Sequence, residues 1–389
     1  MSGQARGASG AQVGAPAGQA WPAARRIVAK VGSSTLMGAD GRLDEAFIGS
    51  LVDQIAELAA QGREVVLVSS GAIAAGVALL GLDERPGDMA TLQACAAAGQ
   101  VALMGTYAHA LAAHGLGVGQ VLLTRNDTAL RSAYLHARQT MERLMALGAV
   151  PIVNENDTVA VDEIRFGDND SLAALVGSLV GADLVVLLSD IDGLYTADPR
   201  RDASATLVST VSHVDDALLA SAGGAGSSVG TGGMRTKVRA GRMMQMAGIP
   251  LAICRGRAPH VLVDVACGAA VGTRFVADPS VGRESSRKLW IALASHDAGT
   301  IVIDDGAREA LHGGGSLLAV GVTGVEGSWE RGDVVAVCDA QGTLVARGLA
   351  AYSSREAELT RGMRSELVAR VAPELAGTPL IHRDELVVF

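Results

Sequence analysis

The stretch "REVVLVSSGAIAAG", residues 63 to 76, decides how this chain is built. Its first half is a β-branched apolar run of the kind a strand covered on both faces needs. Its second half turns through Ser-Ser-Gly into an alanine-rich helical segment. Strand, glycine-bearing turn and helix in sequence form the opening of a parallel crossover unit.

The same unit recurs on either side. Upstream, "RIVAKVGSS" (26–34) reads as a buried strand ending in Gly-Ser-Ser. Residues 44–61 then place Phe47, Ile48, Leu51, Val52, Ile55 and Leu58 at helical spacing ahead of a stop at Gly62. Downstream come a long alanine-rich helical stretch from about Met89 to His114, the strand "GQVLLT", and a helical run from Arg131 to Leu147. "AVPIVNEND", "SLAALVGSLVGA" into "DLVVLLSDIDG", and "TKVRAGRMMQMAG" into "IPLAICRG" continue the alternation. The pattern predicts an α/β fold with a parallel sheet between helices, whose ligands collect beyond the carboxyl ends of the strands.

Near Asp278 the character changes. "ADPSVGRESSRK" is a polar, proline-bearing connector, and "WIAL", "GTIVI", "DVVAVCD", "TLVARGL" and "ELVVF" are short strand candidates beyond it. The expected division is a disordered tail over 1–22, an α/β domain over 23–277, a linker over 278–287 and a small β-rich domain over 288–389.

Composition narrows the function. With 389 residues, 49% hydrophobic and 19% charged, the chain can bury substantial cores. A net charge of −9 offers no general attraction to nucleic acid or an anionic membrane, so a small anionic ligand needs a local positive site. Cys95, Cys254, Cys267 and Cys338 show no CxxC spacing, and the eight histidines form no HExxH. Reduced thiols in a cytosol fit that usage, with the histidines structural or at the surface. The small polar N-terminus lacks a signal-peptide core, and no run is long and apolar enough to predict a membrane span.

The candidate site residues follow the strands. Lys30, in the apolar tail of the first strand, either snorkels to the rim or serves an anion, since burying an unpaired ammonium is costly. "SSGAIAAG" after the second strand is either an anion cradle or a capped, close-packed helix start. "NENDTVAVDEIRFGDND" (154–170) sets nine acid or amide side chains within one loop, suited to Mg²⁺ or to a zwitterionic ligand, or simply solvated. "SDIDGLYTADPR" (189–200) alone says loop. "VGTGGMRTK" (229–237) suggests a phosphate grip, yet Lys237 follows Thr236 rather than a glycine, so it is not the usual GxxxxGK[ST] loop. Together these segments put two lysines, several carboxylates and glycine-bearing turns on one sheet edge, the inventory phosphoryl transfer needs.

In this order "AKVGSS", "VSSGAIAAG", "LLTRND", "NENDTV", "FGDNDSLAA", "LLSDIDGLYTADPR" and "GTGGMRTK" resemble the amino acid kinase family, and within it the members that act on glutamate. The resemblance runs from about Arg26 to the C-terminus. It implies a three-layer αβα sandwich that phosphorylates the side-chain carboxylate of L-glutamate with ATP and Mg²⁺, the first step of proline biosynthesis. It also implies catalytic roles for Lys30, Lys237 and Asp170, the carboxylate orienting both lysines. Nucleotide contacts would come from Lys30, Ser189, Asp190, Thr231, Gly232, Gly233, Met234, Arg235, Thr236 and Lys237. Ser70, Asp157 and Asn169 match glutamate-binding positions, and no residue is assigned as a metal ligand. Ser189 stands where the family often has threonine, and it keeps the hydroxyl.

The same resemblance implies a cytoplasmic homo-oligomer inhibited by proline. The C-terminal part is similar to a PUA domain, a small β-barrel found in many RNA-modifying proteins. Residues 287 to 389 hold ten lysines and arginines against fourteen acidic residues, a poor balance for a generic RNA binder. Competing readings are a kinase for aspartate, acetylglutamate, carbamate or a nucleotide, and an RNA-binding protein built on a degenerate kinase. Dinucleotide redox chemistry fails, because "GLGVG" (115–119) precedes a strand instead of following one.

Overall fold

A computed structural model describes residues 23–124, 131–159, 168–222, 233–277, 291 and 297–389. Contacts divide the chain into two compact units, one drawn from residues 1–124 and 132–283 and one built on 284–389. The expected tail over 1–22 and linker over 278–287 lie outside the described residues.

In the first unit the strands are β1 (Arg26–Val31), β2 (Glu64–Ser69), β3 (Gly117–Leu123), β4 (Ala149–Glu155), β5 (Leu184–Ser189), β6 (Thr210–Val211), β7 (Leu251–Arg255) and β8 (Thr273–Phe275). The helices are α1 (Ser33–Leu36), α2 (Glu45–Ala60), α3 (Ala72–Leu79), α4 (Met89–Ala112), α5 (Arg131–Ala146), α6 (Asn169–Leu179), α7 (Asp216–Ser221), α8 (Met234–Met246) and α9 (Val261–Ala266). The strands form one eight-stranded sheet in the order β3-β4-β2-β1-β5-β7-β8-β6. From β3 to β7 every pairing is parallel, and β8 runs antiparallel to β7. The predicted parallel sheet is therefore the fold.

Strand parity sorts the two faces. Ile27, Ala29 and Val31 of β1, with Val65, Leu67, Val150, Ile152, Val186 and Leu188, pack in one core with α2, α4 and α9. Along α2, Phe47, Ile48, Leu51, Val52, Ile55 and Leu58 are buried, the stripe the sequence predicted. The helix begins at Asp44, whose side chain accepts from Phe47 N–H. Burying a Leu or Ile side chain contributes about 1.5–3 kcal/mol, so this stripe alone anchors the layer. The alternate residues of β1, including Lys30, point to the opposite face, where α6 packs across β1, β2, β4 and β5.

Helices α3 and α4 cross backbone to backbone. A Cβ at Gly99 would lie 1.8 Å from Ala72 O, and one at Gly76 would lie 1.9 Å from Cys95 O. Only glycine permits that approach.

The second unit has β9 (Gly299–Ile303), β10 (Val322–Gly327), β11 (Val334–Cys338), β12 (Leu344–Leu349) and β13 (Leu386–Val388), with α10 (Asp305–His312), α11 (Ser354–Thr360) and α12 (Ser365–Val371). Its sheet runs β10-β9-β11-β12-β13, antiparallel except for the β9–β11 pairing. Ile301, Ile303, Trp329, Val335, Val337, Tyr352 and Leu380 fill its own core. Four of the five strand candidates are strands. The fifth, "WIAL" (290–293), lies mostly outside the described residues, and its described member Ile291 is helical. A short apolar run carries no period long enough to separate strand from helix.

Candidate active site

The site is assembled where β1, β2, β4 and β5 end and where α6 and α8 begin. Asp170, in the first turn of α6, is fully buried. Lys30 Nζ lies 2.7 Å from its Oδ1, and Lys237 Nζ lies 3.1 Å from its Oδ2. Thr236 Oγ1 is 2.6 Å from Oδ2 and also 2.7 Å from Gly233 O. Both lysines are buried, at 5% and 6% exposure, so Lys30 does not snorkel to the rim, and the anion it meets is Asp170.

Burial pushes the Asp170 carboxyl up, but the charge of Lys30 and then that of Lys237 overcome this and hold it well below the usual carboxylate range. Asp168 goes the other way: burial and the negative charge of Asp170 raise it. Asp168 is also the N-cap of α6, accepting from Ser171 N at 2.6 Å and from Ser171 Oγ at 3.2 Å. Two ammoniums meet one carboxylate here, and the Asp168 carboxylate also acts on Lys30. Buried ammoniums next to a helix start are a place for phosphate oxygens. Helix α8 opens at Gly233 with no side-chain cap, leaving its first N–H groups available.

Beside this triad lies an amide network. Asn169 Nδ2 is 2.8 Å from Ser70 Oγ, 2.9 Å from Ser69 O and 3.1 Å from Asn154 Oδ1. Ser70 leads into Gly71, whose φ of +95° places it in the left-handed region that glycine adopts without strain. Ser69, fully buried, shares a 3.1 Å hydrogen bond with the buried Tyr107 hydroxyl.

The remaining candidates are less gathered. Ser189, buried at the end of β5, donates to Asp190 at 3.1 Å, and the exposed Asp190 lies 3.5 Å from Arg200. Asp157 is half-buried in the turn after β4, Met234 is half-buried and Arg235 exposed. Thr231 and Gly232 lie outside the described residues, as do Asp162 and Glu163 of the acidic loop. In the sequence Asn154 is one member of that loop, and little local sets Gln100 apart. Its one signal was a polar residue on the buried side of an alanine-rich helix, beside Cys95, Ala96, Gly99 and Leu103.

This combination of fold and site defines a phosphotransferase class, and residues 25–255 match the amino acid kinase family while residues 299–372 match the PUA domain. The chain belongs to the amino acid kinase family. It is 50% identical over 367 residues to a glutamate 5-kinase of Myxococcus xanthus (strain DK1622), covering 94% of this chain and 97% of the relative. A glutamate 5-kinase of Geobacter sp. (strain M21) is 48% identical over 366 residues, covering 94% and 98%. One from Bordetella pertussis (strain Tohama I) is 50% identical over 367 residues, covering 94% and 97%. By these similarities the chain groups with the glutamate 5-kinases.

Proposed function

We propose that the protein transfers the γ-phosphoryl group of MgATP to the side-chain carboxylate of L-glutamate, giving L-glutamyl 5-phosphate as the first step of proline biosynthesis. The observation that carries this reading is the buried Lys30–Asp170–Lys237 triad at the strand ends.

The acceptor carboxylate is already ionised at neutral pH and needs no general base. Its obstacle is repulsion from the triphosphate. One carboxylate oxygen attacks the γ-phosphorus, and the bond to the β–γ bridging oxygen breaks with its electron pair leaving on ADP. Lys30 and Lys237, held apart on the two oxygens of Asp170, offset the charge on the transferred group from two sides. The uncapped start of α8 and the Gly233–Thr236 segment serve the nucleotide phosphates, with Thr231 and Gly232 preceding them in sequence. Ser189 and Asp190 serve the rest of the nucleotide. Ser70, Asp157 and Asn169 hold the amino acid.

Among the described residues no three His, Cys, Asp or Glu side chains are arranged to hold a metal ion. Mg²⁺ keeps waters and binds readily to phosphates. In this reading it arrives with the nucleotide as MgATP.

Further parts of the reading are feedback inhibition by proline near the glutamate site, a homo-oligomer formed through the kinase unit, and a cytoplasmic location. No helix among the described residues is long and apolar enough to cross a membrane. The acidic balance of the PUA unit argues against a general RNA-binding role.

The test is ATP turnover with hydroxylamine trapping, run with L-glutamate, L-aspartate and N-acetylglutamate in parallel. Hydroxamate is expected with glutamate alone. Hydroxamate from another acid, or from none, refutes the substrate assignment. Adding L-proline to the same assay tests the inhibition.

A further inference from the structure

We infer that Gln100, on α4, is a positioning residue for the amino acid substrate: it orients Asn154 and, through it, Asn169 and Ser70. The inference rests on the glutamate reading above.

Hydrogen-bond direction along this chain follows from one backbone group. Glu155 N–H can only donate, and it lies 2.9 Å from Asn154 Oδ1, so the oxygen end of the Asn154 amide must face it. Asn154 Nδ2 then points to Gln100 at 2.9 Å, and Gln100 must meet it with its oxygen. On the other side, Asn154 Oδ1, Ser70 Oγ and Ser69 O lie 3.1, 2.8 and 2.9 Å from Asn169 Nδ2, whose two protons are shared among these three acceptors, so all three call for the nitrogen end of the Asn169 amide.

The outcome at the site is specific. Ser70 Oγ accepts from Asn169, so its own proton is left to donate, as a carboxylate requires. The Asn169 oxygen faces away from these acceptors and accepts no hydrogen bond among the described residues, as an ammonium partner requires. An amino acid brings both groups. Flipping either amide would reverse this polarity.

Gln100 meets a cost to do this. It is 8% exposed, and its Nε2 is buried with no hydrogen-bond partner among the described residues. Buried donors are nearly always paired, so an unpaired one calls for a reason. The reason here is that its oxygen is committed to Asn154. The Gly76–Gly99 crossing fixes α4 against α3 and so seats Gln100 at the end of β4, while α3 begins just after Ser70.

The experiment is a double-mutant cycle in steady-state kinetics on the full chain, with Gln100→Met and Asn154→Ala alone and combined. Gln100→Met is expected to raise the KM for glutamate about tenfold, the loss of one oriented hydrogen bond, while the KM for MgATP stays within about twofold. In the Asn154→Ala background the same change is expected to add less than about twofold. If Gln100→Met does not fold, Gln100→Ala takes its place in the cycle. An unchanged glutamate KM in a folded variant, equal losses for both substrates, or full multiplicative effects in the double variant would each overturn the inference. Wild-type protein inactive on glutamate overturns the parent reading, and this one with it; active wild type with an unaffected variant overturns this one alone.

Discussion

Lys30, on the second strand-parity face of β1, and Asp170, in the first turn of α6, meet at 2.7 Å in a site from which water is nearly excluded. A buried ion pair of this kind is weak evidence for stability, because two desolvated charges rarely repay their burial by attraction alone. Lys237 stands 3.1 Å from the other carboxylate oxygen, so one buried carboxylate holds two ammoniums.

Asp170→Asn removes the counter-charge from both buried ammoniums. Breaking a buried pair by deleting one partner costs about 3–5 kcal/mol, so the variant is expected to unfold at clearly lower denaturant and to lose turnover. Urea unfolding and the hydroxamate assay check both halves. Wild-type stability in the variant would mean that the lysines are neutral or solvated.

Lys237→Ala tests the charge on the transferred group more selectively. Asp170 keeps Lys30, so folding should be less affected, while kcat falls by about 10²–10³ or more. Lys237→Arg is not expected to rescue, since a planar guanidinium does not reproduce a compact ammonium in this enclosed position. Near-normal kcat in the alanine variant would remove Lys237 from the mechanism.

Gly99→Ala probes the helix crossing behind the candidate substrate site. The added Cβ would fall 1.8 Å from Ala72 O and 2.3 Å from Gly76 N, both backbone atoms that cannot rotate away. Helices α3 and α4 must separate. We expect a loss of about 3 kcal/mol or more in chemical denaturation, at the upper end for overpacking, accompanied by a raised glutamate KM. A stability change under about 0.5 kcal/mol would contradict the crossing geometry.

His260 provides a pH test away from the site. It is the non-glycine residue with positive φ, +59°, among the described residues, and its ring lies 3.2 Å from Asp264 and 2.8 Å from Glu57. Asp264 and then Glu57 raise its pKa above 6.5. A raised folded-state pKa means that the contribution is complete below 6.5 and disappears as pH climbs through the folded value. Thermal melts of wild type and His260→Asn, asparagine being tolerant of this backbone, should differ more at pH 6 than at pH 8.5. A difference independent of pH would show that only the backbone matters.

Much of the site was legible because strand ends announce themselves. Lys30 and Ser189 lie in the tails of apolar β-branched runs, and Ser70 and the 154–170 loop follow others, the strand ends where parallel sheets gather ligands. Their joint order carried the family resemblance. The acidic loop illustrates the limit: nine similar side chains stood together, and nothing in their spacing distinguished buried Asn154 and Asp170 from half-buried Asp157. Gln100 was hidden more completely, since one polar residue in an alanine-rich helix reads the same whether it faces water or a buried amide.

By itself, the sequence determined the parallel α/β unit and its separate β-rich partner, through hydrophobic period, turn residues and the change in texture near Asp278. Tertiary structure decided which charges are in contact and which way each amide points. The physical reason is range: periodicity reports which face of an element is buried, whereas a 2.7 Å ion pair between β1 and α6, or an amide orientation passed from Glu155 N–H to Ser70, depends on strand register and helix crossing that no local pattern encodes.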